Sequence, residues 1–262
     1  MELPLVVAGA VTGLLVGMTG VGSGALMTPL LLLVFGVVPL TAIGTDLWFA
    51  ALTKLAATRV HHGHGLIDWQ VARRLWMGSL PATVATLGWL TYRPVDAANA
   101  DFLKIAIAIA VVISALGILA QKRLHAWGRR LRIEVPGGFK AMQGPLTVAA
   151  GALLGFLVTL TSVGAGALGA VMLICLYPLR LTPPRLIATD IVHAIPVAIF
   201  AGAGHFMVGN VDLALLGNLL LGSIPGVLTG AQLSSRLPHT VLRVVMAGVL
   251  LLIGIKLGST VL

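Results

Sequence analysis

Long apolar runs dominate the chain, and polar residues fall in short intervals between them. A helix that crosses a bilayer needs about 20 predominantly apolar residues. Ten apolar runs, bounded by charged residues, Pro and Gly, therefore predict ten helical membrane segments in an all-α polytopic protein. They cover residues 4–19, 23–38, 41–60, 71–91, 102–120, 145–160, 165–179, 184–206, 212–232 and 240–258.

Four of these segments are short for a membrane span. Residues 4–19, 23–38, 145–160 and 165–179 form two pairs, and a Gly-rich turn joins the members of each pair. Each segment has only about 15–16 residues, at or below the usual spanning range. The pattern leaves open whether each pair crosses twice or enters and leaves on one side as a hairpin.

The two halves of the chain repeat one another. Residues 13–26 read GLLVGMTGVGSGAL, and residues 155–168 read GFLVTLTSVGAGAL. Matches at a near-constant offset over most of both halves indicate an internal duplication. Further matches are Thr45-Asp46 with Thr189-Asp190, His61 with His205, Gly65 with Gly209, Asp68 with Asp212, Gly78-Ser79-Leu80-Pro81 with Gly222-Ser223-Ile224-Pro225, and Lys104 with Arg243.

Each half contains five segments, and an odd number of crossings reverses the second half relative to the first. This predicts inverted repeats around a pseudo-two-fold axis in the membrane plane, an architecture typical of secondary transporters. The expected organisation is a first membrane repeat at 1–120, a basic cytoplasmic linker at 121–144 and a second membrane repeat at 145–262.

Composition supports a membrane protein and excludes other classes. The chain is 58% hydrophobic and 10% charged, with a mean hydropathy of +1.04. Soluble domains are roughly 45–50% apolar and about 25% charged, and disordered chains are still more polar. The net charge of +9 does not indicate nucleic-acid binding, because a soluble module of that kind needs far more polar surface. The single Cys175 is expected to be a buried, inert thiol.

The Lys and Arg residues predict the orientation. With both termini outside and all ten segments crossing, thirteen of the sixteen basic residues outside the span interiors lie on the inner side. Cytoplasmic loops are enriched in such residues. The acidic start, before the first apolar run, is unlike a cleavable signal peptide. We therefore expect a multi-pass protein of the inner (plasma) membrane with its N- and C-termini outside.

The Gly-rich turns are the strongest candidates for a substrate site. They read Thr19-Gly20-Val21-Gly22-Ser23-Gly24 and Thr161-Ser162-Val163-Gly164-Ala165-Gly166. Each turn precedes a helix, and helix N-termini attract anions. Irregular backbone at membrane depth requires protein or a water-filled cavity around it. Two turns converging near the midplane would form an anion site, whereas the alternative is close helix packing by small residues.

Three charged residues fall within apolar segments. A carboxylate in a membrane helix marks an ion or proton pathway by default, so Asp46 and Asp190 are candidates for coupling. The alternative is a helix-start carboxylate stabilised by the helix dipole. Lys54 lies two turns beyond Asp46 and has Ala198 as its counterpart. It supplies a positive charge, pairs with Asp46, or extends toward the membrane surface.

The histidines and prolines suggest further roles. His193 follows Asp190 at i,i+3 on one helix face and is a candidate for a proton relay. His61, His62 and His64 cluster without a nearby Cys or Glu, so we predict no metal site there. His61 and His205 are interpreted as repeat-equivalent interface residues. Pro81 and Pro225 shape their helices or act as hinges.

The ordered motifs resemble the sulfite exporter TauE/SafE family of membrane permeases over residues 9–258. TGVGSGALMTPLLLL and GTDLWFAALTKLAATRVHHGHGLIDW are similar to its first repeat, and SVGAGALG, ATDIVHAIP and GNVDLALLGNLLLGSIPG to its second. The resemblance implies a bacterial inner-membrane permease for sulfite, organosulfonates or related anions. Asp46 replaces the Ser of many first repeats, and Ala165 stands where the first repeat has Ser23.

The sequence thus predicts a secondary transporter of a small sulfur-containing anion, coupled to protons and working by alternating access. It predicts no enzyme, cofactor or ATP site, because no P-loop or catalytic motif is present. A passive anion channel and a non-catalytic membrane subunit are the alternatives. The predicted substrate-binding residues are Thr19, Gly22, Ser23, Gly24, Thr161, Ser162, Gly164 and Gly166, and the coupling candidates are Asp46, Lys54, Asp190 and His193.

Overall fold

The structure is a computed structural model that describes residues 2–19, 23–61, 66–92, 100–134, 136–164, 166–234 and 239–260. These residues form ten α-helices and no strand, so the predicted all-α class is confirmed. The helices are α1 (Leu3–Thr19), α2 (Gly24–Leu33), α3 (Pro39–His61), α4 (Trp69–Tyr92), α5 (Ala100–Glu134), α6 (Pro136–Thr161), α7 (Ala167–Leu176), α8 (Pro183–Met207), α9 (Leu213–Ser234) and α10 (His239–Ser259).

Helices α2 and α7 are half-length helices. Each has ten residues, which at 1.5 Å per residue is about half of the ~30 Å hydrocarbon core. Both are shorter than the apolar runs 23–38 and 165–179, because the chain leaves the helix after Leu33 and Leu176. Their N-termini therefore lie at membrane depth if their C-terminal ends approach a surface.

Five helices in the described part of the chain are long and apolar enough to cross a membrane, namely those at 101–134, 137–161, 183–207, 213–233 and 242–259. The expectation of a short segment at 145–160 is wrong. Helix α6 begins at Pro136 and continues through Pro145, so residues 136–144, although they are largely polar or Gly, belong to the same helix as the apolar run. Residues 121–134 likewise continue α5, so most of the basic interval between the halves is helical.

Glycines bring two pairs of helices into backbone contact. Helix α1 packs on α9, and α6 packs on α4. A Cβ on Gly13 would lie 2.5 Å from the Ser223 carbonyl oxygen, and one on the equivalent Gly155 would lie 2.2 Å from that of Ser79. Neither distance leaves room for a side chain, which is typical of membrane helices that approach through small residues.

The remaining contacts also correspond when the halves are exchanged. Helix α3 packs on α8, and α5 packs on α10, while α4 contacts α8 as α9 contacts α3. Pro81 and Pro225 lie inside α4 and α9. The helices of the two halves therefore interleave rather than forming two separate bundles.

Two reciprocal hydrogen bonds connect the halves. The backbone N–H of Asp68 donates to Thr189 Oγ1 at 3.0 Å, and that of Asp212 donates to Thr45 Oγ1 at 3.1 Å. Each aspartate also caps the helix that follows it. Asp68 Oδ1 accepts from the backbone N–H of Val71 in α4, and Asp212 Oδ1 accepts from that of Leu215 in α9. The repeated threonines therefore position the starts of α4 and α9.

Candidate functional site

The two Gly-rich turns meet inside the protein. Gly24, the first residue of α2, packs against Ser162, which follows α6. A Cβ on Gly24 would lie 1.8 Å from the Ser162 carbonyl oxygen and 3.1 Å from its Oγ. Glycine is therefore required at position 24 by contact with the opposite half. We call the space at this meeting point, next to Ser23, Gly24, Ser162 and Gly166, the central site.

The second turn has an unusual backbone. Ser162 has φ 59°, Gly164 has φ 134° and Gly166 has φ 116°. Positive φ is rare for a residue other than glycine, whereas glycine adopts it readily. Gly164 and Gly166 thus allow the chain to reverse between α6 and α7. Four members of the two predicted turns lie outside the described residues, namely Gly20, Val21, Gly22 and Ala165.

Two buried serine hydroxyls are available at the central site. Ser23 is 1% exposed and Ser162 is 5% exposed, and neither Oγ has a hydrogen-bond partner in the described part of the chain. The hydroxyls of Thr19 and Thr161 instead donate to carbonyl oxygens one turn earlier in their own helices. The serine hydroxyls are therefore not used by a backbone oxygen, and both lie near Asp46 and can donate to it or to a substrate.

The starts of α2 and α7 also lack side-chain caps. Ser23 occupies the N-cap position of α2 without a side-chain hydrogen bond, and Gly166 occupies that of α7 and has no side chain. The first N–H groups of a helix have no partner within the helix, and they carry partial positive charge. Both helices thus offer backbone donors beside the free serine hydroxyls.

Asp46 lies next to the central site and is fully buried. Its Oδ2 accepts a hydrogen bond from Thr28 Oγ1 at 2.5 Å, whereas its Oδ1 has no partner among the described residues. The hydroxyls of Ser23 and Ser162 also lie within donating range of this carboxyl group. Thr28 was not predicted, since a lone threonine in an apolar helix gives no signal of its own.

Asp190 occupies the matching position against α7. It is 2% exposed, and a Cβ on Gly169 would lie 2.1 Å from its Oδ1. That oxygen has no hydrogen-bond partner in the described part of the chain. Gly169 therefore leaves the space that this carboxyl group fills, a role that the motif alone did not indicate.

Lys54 connects the two carboxylates electrostatically. It is 4% exposed, so it does not extend to the membrane surface. Its charge interacts with Asp190 and, less strongly, with Asp46. The buried cation, which has no basic counterpart in the second half, is thus shared between the carboxylates of both halves.

His193 lies in the same polar region and is fully buried. Its Nε2 is 3.0 Å from Ser79 Oγ, and its Nδ1 has no partner among the described residues. Lys54 interacts electrostatically with the ring. The structure therefore brings His193, Lys54 and Asp190 together, and it adds Ser79 from the repeated Gly-Ser-Leu-Pro motif.

His205 lies elsewhere, where its Nε2 is 3.0 Å from the Thr159 carbonyl oxygen. The side chains of His61, His62 and His64 lie outside the described residues. Within the described ranges, no group of three or more His, Cys, Asp or Glu side chains is arranged to hold a metal ion.

A cavity of 310 Å³ borders the central site at Gly166 and extends toward one end of the molecule. Thr19, Gly166 and Asp190 line its inner end, and residues of α5, α7, α8 and α10 form its walls. Its outer end is lined by Gln121, His125 and Arg243, among others. We call this side of the molecule the Arg243 face.

Two residues that line this cavity have repeat equivalents that are packed away. Leu242 and Ile187 line the cavity, whereas their repeat equivalents Leu103 and Ile43 are buried in one hydrophobic core. A separate cavity of 240 Å³, lined by His205 and residues of α3, α4 and α8, contains no described residue of the Gly-rich turns. The cavity that reaches Gly166 is therefore the one on the Arg243 side.

An ion pair links α4 to the connection between α7 and α8 on the same side of the fold. Arg180 donates from Nε to Asp68 Oδ2 at 2.6 Å and from Nη2 to Asp68 Oδ1 at 2.8 Å. The corresponding connection in the first half, 34–38, contains no basic residue. This contact therefore distinguishes one half from the other.

The all-helical fold, the apolar spans and the buried polar site define a multi-pass membrane transporter. The chain belongs to the sulfite exporter TauE/SafE family, whose model matches residues 5–257. It is 36% identical over 262 residues to the probable membrane transporter protein YjnA of Bacillus subtilis (strain 168), covering 98% of this chain and 100% of that protein. It is 27% identical over 238 residues to the probable membrane transporter protein YdhB of the same organism, covering 88% and 89%. No solved structure matches the chain.

Proposed function

We propose that this protein is a secondary transporter that binds a small sulfur-containing anion, such as sulfite or an organosulfonate, at the central site. The observation that carries the proposal is the contact between Gly24 and Ser162, which brings the first turn against the second, whose Gly166 lines a cavity open to one face. The family assignment supports the transporter role and the choice of sulfur oxyanions to test.

Hydrogen-bond donors from both halves would hold the anion. The free hydroxyls of Ser23 and Ser162 bind its oxygens, together with the first backbone N–H groups of α2 and α7 near Gly24 and Gly166. Anions bind well to helix N-termini because dipole and free donors act together. Thr19, Thr161, Gly22 and Gly164 shape the turns around the substrate.

Protons are the proposed coupling ion. An anion at the central site and an ionised Asp46 repel each other, and this repulsion is strong at low effective dielectric. Binding of the anion and protonation of the carboxyl group therefore favour each other. Asp190, Lys54 and His193 complete the coupling group, with Lys54 compensating whichever carboxylate remains charged.

The proposed mechanism is alternating access by two inverted repeats, at 1–120 and 145–262, joined by the basic linker 121–144. The helix contacts that correspond on exchange of halves support this arrangement. If the two repeats exchanged conformations, the path from the Arg243 face would close and the equivalent path would open. The central site would then be accessible from the opposite face. The positive charges favour an Arg243 face in the cytoplasm, with both termini outside the inner membrane.

Serine-to-alanine variants test the central site. S23A and S162A each remove one donor to a charged ligand, a contact worth about 1.5–3 kcal/mol, so we expect sulfite affinity to fall about tenfold or more in each. S114A is a matched control, because the Ser114 hydroxyl donates to Ala110 within α5. Affinity is measured with purified protein against sulfite, sulfate, thiosulfate and a sulfonate.

Unchanged affinity in both serine variants would place the substrate elsewhere, and binding of none of the four anions by the wild type would reject the substrate class. Flux into proteoliposomes separates the transporter from a passive channel. A pH gradient should drive saturable uphill accumulation, whereas a channel would only equilibrate the anion.

A further inference from the structure

The outer end of the cavity carries a polar cluster that the central site does not use. Gln121, His125 and Arg243 line this end, far along the cavity from Thr19, Gly166 and Asp190. We propose that these three side chains form a second anion site, which captures the sulfur oxyanion or sulfonate before it reaches the central site. The assignment of the ligand class rests on the proposed function.

The three side chains are adjacent. Arg243 Nη1 donates to Gln121 Oε1 at 3.3 Å, and Gln121 and His125 are one turn apart on α5, at i and i+4. The Nδ1 of His125 is buried and has no hydrogen-bond partner among the described residues. The cluster is therefore held on two helices, α5 and α10, with a polar atom that its protein surroundings leave unsatisfied.

The donors suit an oxyanion. Because the Gln121 oxygen accepts from Arg243, its amide NH₂ remains free to donate, and the guanidinium keeps further N–H groups. Arginine binds planar or multi-oxygen anions through two parallel hydrogen bonds. A protonated ring nitrogen of His125 supplies another donor, so three side chains converge on the oxygens of one sulfite or sulfonate group.

The charge at this end is positive and specific to one face. Within the described ranges no carboxylate pairs with Arg243, whereas its repeat equivalent Lys104 is paired with Asp101 at 2.9 Å. The residue equivalent to Asp101 is Thr240, which carries no charge. Among the described residues that line the cavity, Asp190 at the inner end is the only carboxylate. An anion entering the cavity is therefore attracted first to the outer cluster.

Electrostatic attraction of this kind raises the local concentration of a charged ligand in a cleft. Loss of Arg243 should therefore raise the KM for sulfite offered from the Arg243 face by about tenfold. It should leave the KM from the opposite face nearly unchanged.

The rate of thiol modification measures the electrostatic potential inside the cavity and does not require transport. Ile174 lines the cavity wall, so I174C in a C175A background reports on it. Its rates with anionic sulfonatoethyl methanethiosulfonate and cationic trimethylammonioethyl methanethiosulfonate are compared. R243Q should lower the anion-to-cation rate ratio by roughly five- to tenfold, the Coulomb effect of one charge several ångströms away. K122Q, which removes an exposed charge one residue after Gln121, should change it less than about twofold.

Protection by taurine tests binding at the cluster itself. The test adds S23A and S162A to the I174C/C175A reporter, so that the central site is disabled. Taurine, whose sulfonate attacks neither the reagent nor the mixed disulfide, should still slow modification of the introduced thiol, and adding R243Q should abolish the protection. R243K keeps the charge but not the paired N–H groups, so it should keep the rate ratio and weaken protection.

An unchanged ratio in R243Q, or a ratio that falls equally in K122Q, would overturn the proposal, as would failure of taurine to protect the introduced thiol in any variant. If protection that depends on Arg243 is found but proteoliposomes show no flux, the proposed transport function fails and the outer anion site stands.

Discussion

At the scale of single residues, Asp46 carries the coupling hypothesis. Its carboxyl group is fully buried, accepts one hydrogen bond from Thr28 and has a second oxygen without a partner among the described residues. Its interaction with Ser23 and Ser162 places it beside both halves of the proposed substrate site. The same hydroxyls therefore serve either the carboxylate or a bound anion.

The D46N variant should uncouple anion movement from protons. Asn has nearly the same shape and still accepts from Thr28, but it cannot exchange a proton at any working pH. We expect downhill sulfite exchange in proteoliposomes to continue, whereas a pH gradient no longer drives accumulation. D101N is the control, because Asp101 forms an exposed ion pair with Lys104. Intact pH-driven accumulation in D46N would remove Asp46 from the coupling group.

At the scale of elements, close contact between α1 and α9 positions the first turn. Gly13 lies so near the Ser223 backbone that a methyl group has no space, and Gly155 makes the equivalent contact between α6 and α4. These contacts fix the helices that end at the Gly-rich turns, because α1 leads into the first turn and α6 into the second. Small residues outside the turns therefore decide whether the turns meet.

Substituting one of these glycines should separate α1 from α9. In G13A the new methyl group would lie 2.5 Å from the Ser223 carbonyl oxygen, and overpacking typically costs about 1–3 kcal/mol. We expect a lower midpoint of thermal unfolding in detergent. G217A is the matched control on α9, because nothing described lies within 4 Å of its added Cβ. Equal stability of the two variants would contradict the close packing.

At the scale of the whole molecule, the two halves have similar contacts but differ in accessibility. The cavity borders the central site on the side of the Arg243 face, whereas Leu103 and Ile43, the equivalents of two of its lining residues, are packed in a core. Within the described residues, the Arg180–Asp68 ion pair has no equivalent in the other half. It joins the α7–α8 connection to α4, and we expect it to stabilise the state with this face open.

Breaking this ion pair should change the balance between the two states. D68N keeps an N-cap side chain for α4, since Asn caps as well as Asp, but it weakens the bond to Arg180. Arg180 is partly exposed, so the pair contributes about 1 kcal/mol or less, and the ratio of open to closed molecules should fall by about fivefold or less. The rate at which I174C in a C175A background reacts from the Arg243 face measures this population.

D212N is the control for that experiment. The backbone N–H of Asp212 donates to a threonine, and its side chain caps α9, just as Asp68 does for α4. The partner of Arg180, however, is Asp68 and not Asp212. A rate reduced equally by D212N and D68N would assign the effect to capping, and an unchanged rate in D68N would show that the ion pair does not select the open state.

The sequence by itself determined the helices and the duplication. Long apolar runs predict their own helices, because a backbone in lipid must satisfy its hydrogen bonds internally. Each of the ten predicted segments overlaps a helix of the described chain. The turns, Asp46, Asp190 and Lys54 also stood out, because glycine clusters and charges are rare within apolar runs. The extension of α6 to Pro136 was missed, since a helix in a polar interval has no hydrophobic signal.

Only the tertiary structure decided which of these residues meet. The contact between Gly24 and Ser162 joins positions far apart in the chain, as does that between Arg180 and Asp68. The roles of Thr28 and Gly169 depend on which carboxyl group faces them. The cavity on the Arg243 side of the central site likewise exists only in the packed molecule, because residues of several helices form its walls. These features depend on how distant helices pack against each other. A local sequence pattern reports only on the helix that contains it, so it cannot show such contacts.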